Sequence, residues 1–295
     1  MTPLQRRFQK TSPPHNRTRQ RANRSSRQTP RIYKTEVPQP QVYIAGVECS
    51  AMTNQLLDGK SALVTGGARR IGRGIALALA QAGADVAITF RTSRDQASQT
   101  ASEIEGLGHR ALAVECDVRS EVSVRAAIAA TVAHFGRLDL AINNAAVFES
   151  ASLDSLTLDQ WDAVFETNAR GPFLVAREAL VHLRAAQGRI VNIGSLGGIH
   201  AWAGHAHYCA SKAAVHMLTQ AMAKAFAPKV SVNCVAPGWI SQDGDNAELA
   251  ARFASKTPMR HNGSVEDVAQ AVLFFATGPH FVTGQLLAVD GGLGL

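Results

Sequence analysis

Three residues with complementary chemistry lie close together in residues 192–212, which read NIGSLGGIHAWAGHAHYCASK. Tyr208 and Lys212 are four residues apart, so a helix would place both on one face. An ammonium group beside a phenol favours the phenolate, and lowering a tyrosine pKa from about 10 towards 7 takes roughly 4 kcal/mol. Ser195 follows an apolar segment, and its hydroxyl could bond the oxygen that Tyr208 protonates. This spacing predicts a general acid that works near neutral pH. The alternative is a solvated lysine beside a half-buried tyrosine.

A glycine-rich loop occurs near the start of the apolar part of the chain, where residues 65–74 read TGGARRIGRG. A loop of this kind, placed before a helix, lets backbone amides approach a pyrophosphate at the helix N-terminus. Gly66, Gly67 and Gly72 suit that close approach. For Gly67 and Gly74 the alternative is tight packing of a helix on a sheet. Because the loop follows the first apolar strand and precedes an alanine-rich helix, it predicts a dinucleotide site.

The elements that would position these residues alternate regularly from residue 57 onward. Short apolar segments predict strands, and longer amphipathic segments predict helices. This alternation predicts a single α/β domain over residues 57–295, with a doubly wound, Rossmann-type parallel sheet of about seven strands and helices on both faces. The predicted strands lie near residues 61–65, 85–90, 110–115, 138–142, 189–194, 229–235 and 285–289, and the predicted helices near 71–82, 95–107, 120–135, 158–170, 173–187, 207–226 and 264–276.

Taken together, these motifs resemble those of the short-chain dehydrogenase/reductase family. The resemblance implies that Tyr208 is the proton donor and that Ser195 orients a substrate carbonyl. It implies that Lys212 anchors the cofactor and lowers the tyrosine pKa. It also implies that Asn168, in the segment FETNARGPF, holds a water that links Lys212 to solvent. The alternative for Asn168 is a polar group that bridges two helices.

The same resemblance implies a set of cofactor contacts. In the family an aspartate after the third strand bonds the adenine amino group, which points to Asp117; a helix N-cap is the alternative role, for which Ser120 is better placed. Arg70 replaces the middle glycine of the family pattern TGxxxGxG, and this variant resembles pteridine reductases. The predicted cofactor contacts are Thr65, Gly66, Gly67, Arg69, Arg70, Ile71, Gly72, Arg91, Asp117, Val118, Asn144, Ala145, Ala146, Tyr208, Lys212, Pro237, Gly238, Trp239 and Ile240.

The residues after the second strand predict which nicotinamide cofactor binds. A site that prefers NAD carries an acidic residue there, but the segment FRTSRD has none before Asp95. Arg91, with Arg69 or Arg70, can instead meet the 2′-phosphate of NADP through its fork of donors. Any one of these arginines could be a solvated surface residue. We therefore expect NADPH/NADP+ as the cofactor.

The substrate is the least determined part of the prediction. Arg70 favours a pteridine, whereas Ser195 stands where pteridine reductases have aspartate and favours a 3-oxoacyl thioester or another ketone. A non-catalytic nucleotide- or RNA-binding protein is a further alternative, which the intact serine, tyrosine and lysine disfavour. A variable polar lid is expected over residues 241–258. The residues predicted to line the substrate pocket are Ser195, Trp202, His205, His207 and Trp239, with core or rim packing as the alternative for the aromatic and imidazole rings.

Composition adds expectations about partners and location. The net charge of +7 comes from the first 57 residues, which hold ten of the 30 lysines and arginines and two of the 23 acidic residues. Residues 1–56 are expected to form a disordered basic extension, because the segment lacks apolar periodicity. It has three interpretations: an arm that touches nucleic acid, a transit peptide, or an effect of start-site choice that makes residues 1–51 dispensable. For the domain we expect no nucleic-acid or membrane partner, since no apolar run approaches about 18 residues.

The four cysteines show no metal-ligand spacing, so we expect no metal site and a reducing, cytoplasmic compartment. The final segment FVTGQLLAVDGGLGL resembles the last strand of the family, which packs in a subunit interface. We therefore expect a homotetramer or a homodimer.

Overall fold

The computed structural model describes residues 55–242 and 244–295, so the basic N-terminal segment lies outside the described residues. Strands and helices alternate along most of the described chain. The strands are β1 (Ser61–Val64), β2 (Asp85–Phe90), β3 (Ala111–Glu115), β4 (Leu140–Asn143), β5 (Arg189–Ile193), β6 (Ser231–Pro237) and β7 (Leu286–Val289). The α-helices are α1 (Arg70–Gln81), α2 (Arg94–Gly106), α3 (Glu121–Phe135), α4 (Leu158–Phe165), α5 (Gly171–Ala186), α6 (Ala206–Phe226), α7 (Ala247–Lys256) and α8 (Val265–Thr277).

The strands form one parallel sheet in the order β3-β2-β1-β4-β5-β6-β7. This arrangement confirms the predicted Rossmann-type α/β fold. The chain order reverses between β1 and β4, so the two connections leave to opposite sides and open a crevice at the carboxyl ends of the strands. The glycine-rich loop follows β1, and Ser195 follows β5, so both lie at this edge.

Alternate residues of the central strands enter two hydrophobic layers. Val64 of β1 packs in a layer with α1 and α8, whereas its neighbour Leu63 packs in a layer with α3 and α5. Both side chains are at most 1% exposed. Because helices cover both faces, every residue of β1 and β4 is buried, and these strands are mostly apolar. The sheet is therefore a rigid base for the residues at its edge.

Two features differ from the sequence prediction. The predicted polar lid contains α7, a helix capped by the Asn246 side chain, which accepts the Leu249 N–H at 2.9 Å. No residue of α7 is buried, which explains why the helix left no strong apolar pattern. The predicted break between helices near residue 172 is instead a continuous helical path through a π-helical turn, Glu166–Arg170. Pro172 is tolerated there because it occupies the first turn of α5.

Within the described residues, no helix combines the length and the apolar character that crossing a membrane requires.

Candidate functional site

Ser195, Tyr208 and Lys212 meet at the carboxyl end of β5. Ser195 is 5% exposed and begins a short 3₁₀ turn, where its Oγ accepts the Gly197 N–H at 3.1 Å. Tyr208 and Lys212 lie one turn apart on α6, and the Lys212 Nζ is 5.8 Å from the centre of the Tyr208 ring. Lys212 also donates from Nζ to the Ile193 carbonyl at 2.8 Å. The structure thus brings the three residues together, as the sequence spacing predicts.

Burial dominates the electrostatics of these groups. It raises the pKa of Tyr208, and a hydrogen bond with Ser195 lowers that pKa by a smaller amount. Burial lowers the pKa of Lys212 to about 8. The sequence predicted that Lys212 would lower the tyrosine pKa, and the structure does not show this lowering. At neutral pH the phenol is therefore protonated and the lysine is mostly charged, which is the state required of a proton donor beside a cation.

The loop after β1 leaves the N-terminus of α1 open. Arg69 occupies the N-cap position without a capping side-chain bond, so the first-turn amides of α1 have no partner among the described residues. Gly66 has φ = 65°, and a Cβ on Gly72 would overlap the Gly66 carbonyl oxygen. Asn144 holds the loop through its Nδ2, which donates to the Thr65 and Gly66 carbonyls at 2.9 and 3.1 Å. This open helix terminus can bind a phosphate group.

A groove of about 360 Å³ runs from this loop along the strand ends. Its lining carries positive charge from Arg69 and Arg70 at the start of α1 and from Arg91 directly after β2. Asp117 lines the groove, and its carboxylate accepts three hydrogen bonds from the Arg119 guanidinium, which lower the Asp117 pKa. The predicted cofactor residues among the lining are Gly66, Arg69, Arg70, Ile71, Gly72, Arg91, Asp117, Val118, Asn144, Ala145 and Ala146.

Several other residues that the sequence predicts to contact the cofactor do not line the groove. The Gly67 amide donates to the Thr89 carbonyl at 3.1 Å, and a Cβ there would meet Ile88, so Gly67 serves the packing of the loop on β2. Thr65 uses its Oγ1 to accept the Asn144 and Ala145 amides, each at 3.0 Å. Its role in this structure is therefore to hold the loop rather than to face the groove.

The segment after β6 is also predicted to contact cofactor, and it lies beyond the groove. Pro237 ends β6, and the Gly238 amide donates to the Val289 carbonyl at 2.9 Å. Trp239 stacks on Phe253 of α7 with ring centres 4.3 Å apart, and Ile240 is 7% exposed. Trp239 therefore packs against α7, which matches the alternative role of core or rim packing that the sequence left open for this ring.

Asn168 lies in the π-helical turn and is 1% exposed. Its Oδ1 accepts the Val147 N–H at 2.8 Å, and its Nδ2 donates to the Val147 carbonyl and to the Ser211 Oγ at 2.9 and 3.1 Å. The side chain therefore joins the segment after β4 to α6. No direct contact with Lys212 occurs in this structure, so the predicted water link stays a prediction.

Aromatic rings surround the Tyr208 phenol. Trp202 stacks near Tyr208 with ring centres 6.2 Å apart, and Phe148 meets it edge-on at 4.8 Å. His205 stacks on Phe148 at 4.8 Å, while its Nε2 bonds the Ser150 Oγ at 2.8 Å. The structure thus places Trp202 and His205 near Tyr208, where the sequence predicts a substrate pocket.

The prediction that His207 lines the pocket is wrong for this structure. Its side chain is fully buried, and both ring nitrogens lack a partner among the described residues. The physical reason is helix geometry, since neighbouring residues of α6 point about 100° apart and His207 faces away from Tyr208.

Two residues near the site were not singled out from the sequence. Phe148 is 59% exposed, lines the groove and touches Tyr208. It therefore connects the groove to Ser195, Tyr208 and Lys212, which together are called the triad below. His216 lies one turn beyond Lys212, and its Nε2 accepts the Ser195 N–H at 3.4 Å. The spacing of four residues from Lys212 is a signal that could have identified His216.

Comparison with known proteins agrees with this geometry. A family model described as Enoyl-(Acyl carrier protein) reductase matches residues 66–294. The 3-oxoacyl-[acyl-carrier-protein] reductase FabG of Staphylococcus aureus is 37% identical over 240 residues, covering 79% of this chain and 98% of that protein. A short chain dehydrogenase from Burkholderia cenocepacia, solved in complex with NADP, is 41% identical with a TM-score of 0.76, covering 81% of this chain and 99% of the other.

A second solved structure, a blue fluorescent protein from a metagenomic library in complex with NADPH, is 36% identical with a TM-score of 0.77. It covers 81% of this chain and 99% of the other. The open helix terminus, the Ser195, Tyr208 and Lys212 arrangement and these matches lead to one conclusion: the chain belongs to the short-chain dehydrogenase/reductase family.

Proposed function

We propose that this protein is an NADPH-dependent reductase that converts a ketone, such as a 3-oxoacyl thioester, into an alcohol. The observation that carries the proposal is the meeting of Tyr208, Ser195 and Lys212 beside a groove with an open helix N-terminus. Phe148 lines the groove and contacts Tyr208, so a cofactor lying in the groove ends next to the proton donor.

The groove residues fit a dinucleotide phosphate. The free first-turn amides of α1 suit the pyrophosphate, and Gly72 leaves the room that a Cβ would fill. Arg69, Arg70 and Arg91 supply cationic donors where a 2′-phosphate would lie. The solved relatives hold NADP or NADPH, which supports the same choice of cofactor for this chain.

Each member of the triad has a separate task in this proposal. Tyr208 donates its phenolic proton to the carbonyl oxygen, and the Ser195 hydroxyl donates a hydrogen bond to the same oxygen. The Ser195 Oγ accepts the Gly197 N–H, so its own proton is available to bond the Tyr208 oxygen or, in the complex, the substrate oxygen. The Lys212 ammonium stabilises the tyrosinate that forms. When bound, NADPH supplies the hydride that reduces the carbonyl carbon.

Arg70 provides a test of cofactor choice, because it has φ = 53°, in the left-handed region that favours glycine. Holding an arginine there costs about 1 kcal/mol. We expect Arg70→Gly to raise the free energy of unfolding by about that amount and to weaken NADPH binding by about 10-fold or more, with NADH binding unchanged. Fluorescence titrations with both cofactors and urea unfolding measure these effects.

Two further variants separate charge from backbone strain. Arg70→Ala should lose NADPH affinity without the gain in stability, because alanine keeps the strained φ. Arg73→Gln removes the same charge one turn further along α1, where Arg73 pairs with Glu103 outside the groove lining, and should leave NADPH binding unchanged. An equal loss of NADH and NADPH binding in Arg70→Gly would contradict the assignment.

The substrate has a second candidate, a pteridine. Arg70 in place of the middle glycine of the loop resembles pteridine reductases, and the exposed Phe148 ring beside Tyr208 suits a flat heterocycle. Ser195 and the similarity to a 3-oxoacyl reductase support the ketone.

Assays of NADPH oxidation with the full chain distinguish the two candidates. The substrates are an acetoacetyl thioester, a small diketone and dihydrobiopterin. Turnover of the thioester or the diketone without the pterin supports ketone reduction. Turnover of the pterin alone would mean that the protein reduces a pteridine and not a ketone. No turnover of any of the three substrates would contradict the proposed function.

We also propose that the protein is a homotetramer in the cytoplasm. The edge strand β7 leaves Leu286 and Leu287 each 37% exposed, and the neighbouring Phe281 is 98% exposed. A second apolar face on α5 carries Phe173 and Val181. Two separate apolar faces allow two kinds of subunit contact, as a tetramer with three two-fold axes requires. The cytoplasmic location rests on the free, buried thiols of Cys116, Cys209 and Cys234.

Light scattering after size-exclusion chromatography tests the assembly. With a chain mass of 31.4 kDa, the tetramer gives about four times that mass. Phe281→Asp should reduce the mass to that of a dimer, because it places a charge in the contact formed by the β7 edge. Val122→Asp, on α3 and 73% exposed, is the matched control and should leave the tetramer intact. A monomer in the unmodified chain would refute the proposed assembly.

A further inference from the structure

His216 shares one face of α6 with the proposed catalytic residues. It lies one helical turn beyond Lys212 and two turns beyond Tyr208, and it is 8% exposed. Lys212 reaches back to the last residue of β5, Ile193. His216 reaches the next part of the same segment, the turn that begins at Ser195. Two successive turns of α6 thus contact one short stretch of backbone.

The imidazole of His216 fills a space made by two glycines. A Cβ on Gly194 would overlap the His216 Nε2, and a Cβ on Gly198 would overlap its Cε1. Gly194 directly precedes Ser195, and Gly198 ends the 3₁₀ turn that Ser195 begins. The ring is therefore wedged beneath the turn and contacts it at both ends.

Hydrogen bonds define which form of the ring is present. The Nε2 accepts the Ser195 N–H at 3.4 Å, and a second bond joins the ring to the Gly198 backbone. From these partners we assign the neutral tautomer with the proton on Nδ1. Burial and the nearby Lys212 ammonium lower the pKa of His216 to about 4, so the ring stays neutral and able to accept at physiological pH.

We propose that His216 is a positioning residue, which holds the backbone of Ser195 so that the serine hydroxyl and the Tyr208 phenol address the same substrate oxygen. The inference rests on the proposed reductase function. In the structure the Ser195 side chain is held by the Gly197 N–H and its backbone amide by His216. Without the imidazole, the Ser195 amide is buried without a partner and the turn is free to shift. A shift of about 1 Å between reacting groups costs up to roughly 100-fold in rate.

Two substitutions of similar size separate hydrogen bonding from packing. His216→Leu fills the space but cannot accept the Ser195 amide, and His216→Gln keeps an acceptor near the position of Nε2. For the ketone that the unmodified enzyme reduces, we expect kcat of the leucine variant to fall about 10- to 100-fold, with NADPH affinity unchanged. We expect the glutamine variant to recover most of that loss.

A core variant on the same helix controls for a general loss of stability. Met222→Ala removes a side chain that is 4% exposed in the layer against α5, away from the Ser195 turn. It should lower Tm while leaving kcat near that of the unmodified enzyme. A normal kcat in His216→Leu would overturn the proposal. So would equal losses of kcat in His216→Leu, His216→Gln and Met222→Ala.

A spectroscopic measurement tests the role of His216 independently of turnover. If no ketone is reduced, the proposed function fails, but this measurement still shows whether His216 can accept the Ser195 amide. Nitrogen-15 labelling of histidine, with the His216→Gln spectrum used for assignment, reports which ring nitrogen of His216 carries the proton. A neutral ring protonated at Nδ1 from pH 6 to 8 is the expected result. Protonation at Nε2 would leave no acceptor for the Ser195 amide and would overturn the positioning role.

Discussion

Replacement of Tyr208 by phenylalanine is expected to lower kcat/KM for ketone reduction by at least about 100-fold, the scale on which a general acid contributes. The change removes one hydroxyl and keeps the ring, so the contacts with Phe148 and Trp202 remain. NADPH affinity should stay within about threefold of the unmodified value, because the proposed phosphate contacts lie on α1 and the strand ends. Steady-state kinetics and a fluorescence titration with NADPH measure the two effects.

Cys209→Ala is the matched control for this prediction. Cys209 adjoins Tyr208 but points about 100° away around α6, and it is 9% exposed. Its removal should leave turnover near normal. A near-normal rate in Tyr208→Phe would remove Tyr208 from the role of proton donor.

Lys212→Met is expected to abolish most activity and to stabilise the fold. Turnover should fall about 100-fold, because the variant lacks the cation that stabilises the tyrosinate. The stability gain follows from the buried charge. The pKa of Lys212 is about 8 in the folded chain and 10.5 ordinarily, a difference that corresponds to about 3 kcal/mol of cost below pH 8. Loss of the bond to the Ile193 carbonyl offsets about 1 kcal/mol, which leaves a gain of about 2 kcal/mol at pH 7.

The pH dependence of this gain has a definite sign. Between pH 8 and 10.5 the unfolded chain holds a proton that the folded chain has released, so the stability of the unmodified protein rises with pH across that window. The methionine variant lacks this dependence, and its advantage should shrink as the pH is raised from 7 to 10. Urea unfolding of both proteins at several pH values measures the difference. A variant that is less stable at pH 7, or an advantage that does not change with pH, would contradict the buried-charge account.

The fold was predictable because its pattern is local and repeated. Buried parallel strands such as β1 are short and mostly apolar, and helices such as α1 show a regular apolar stripe. The triad was predictable for a related reason, since the spacing of Tyr208 and Lys212 fixes their common face once a helix is given. Both predictions need only the order of residues in the sequence and the number of residues per turn of a helix or per repeat of a strand.

Other features depend on distant contacts that no local pattern contains. His207 differs from Tyr208 by one position, and only the packing of α6 decides that it is buried while Tyr208 faces the site. Trp239 was expected near cofactor and substrate, but α7 covers it through Phe253. That helix escaped prediction because none of its residues is buried.

The conformation of the cofactor loop was also beyond the sequence pattern. The sequence shows that Arg70 replaces a glycine of the family pattern. The left-handed φ of Arg70 and the missing N-cap bond, in contrast, arise from the packing of the loop on β2 and Asn144. These two features leave the loop strained and its helix terminus open, as phosphate binding would require, and the residue types alone do not reveal them.

Transfer of deuterium from labelled cofactor tests the central claim most directly. The full chain is incubated with an acetoacetyl thioester and NADPH that carries deuterium at both C4 positions, and the product is analysed by mass spectrometry and NMR. The account predicts a 3-hydroxyacyl thioester with one deuterium on the carbinol carbon, formed by the unmodified chain and lost in Tyr208→Phe. Absence of the alcohol, or an alcohol without deuterium at that carbon, would contradict ketone reduction by hydride transfer at this site.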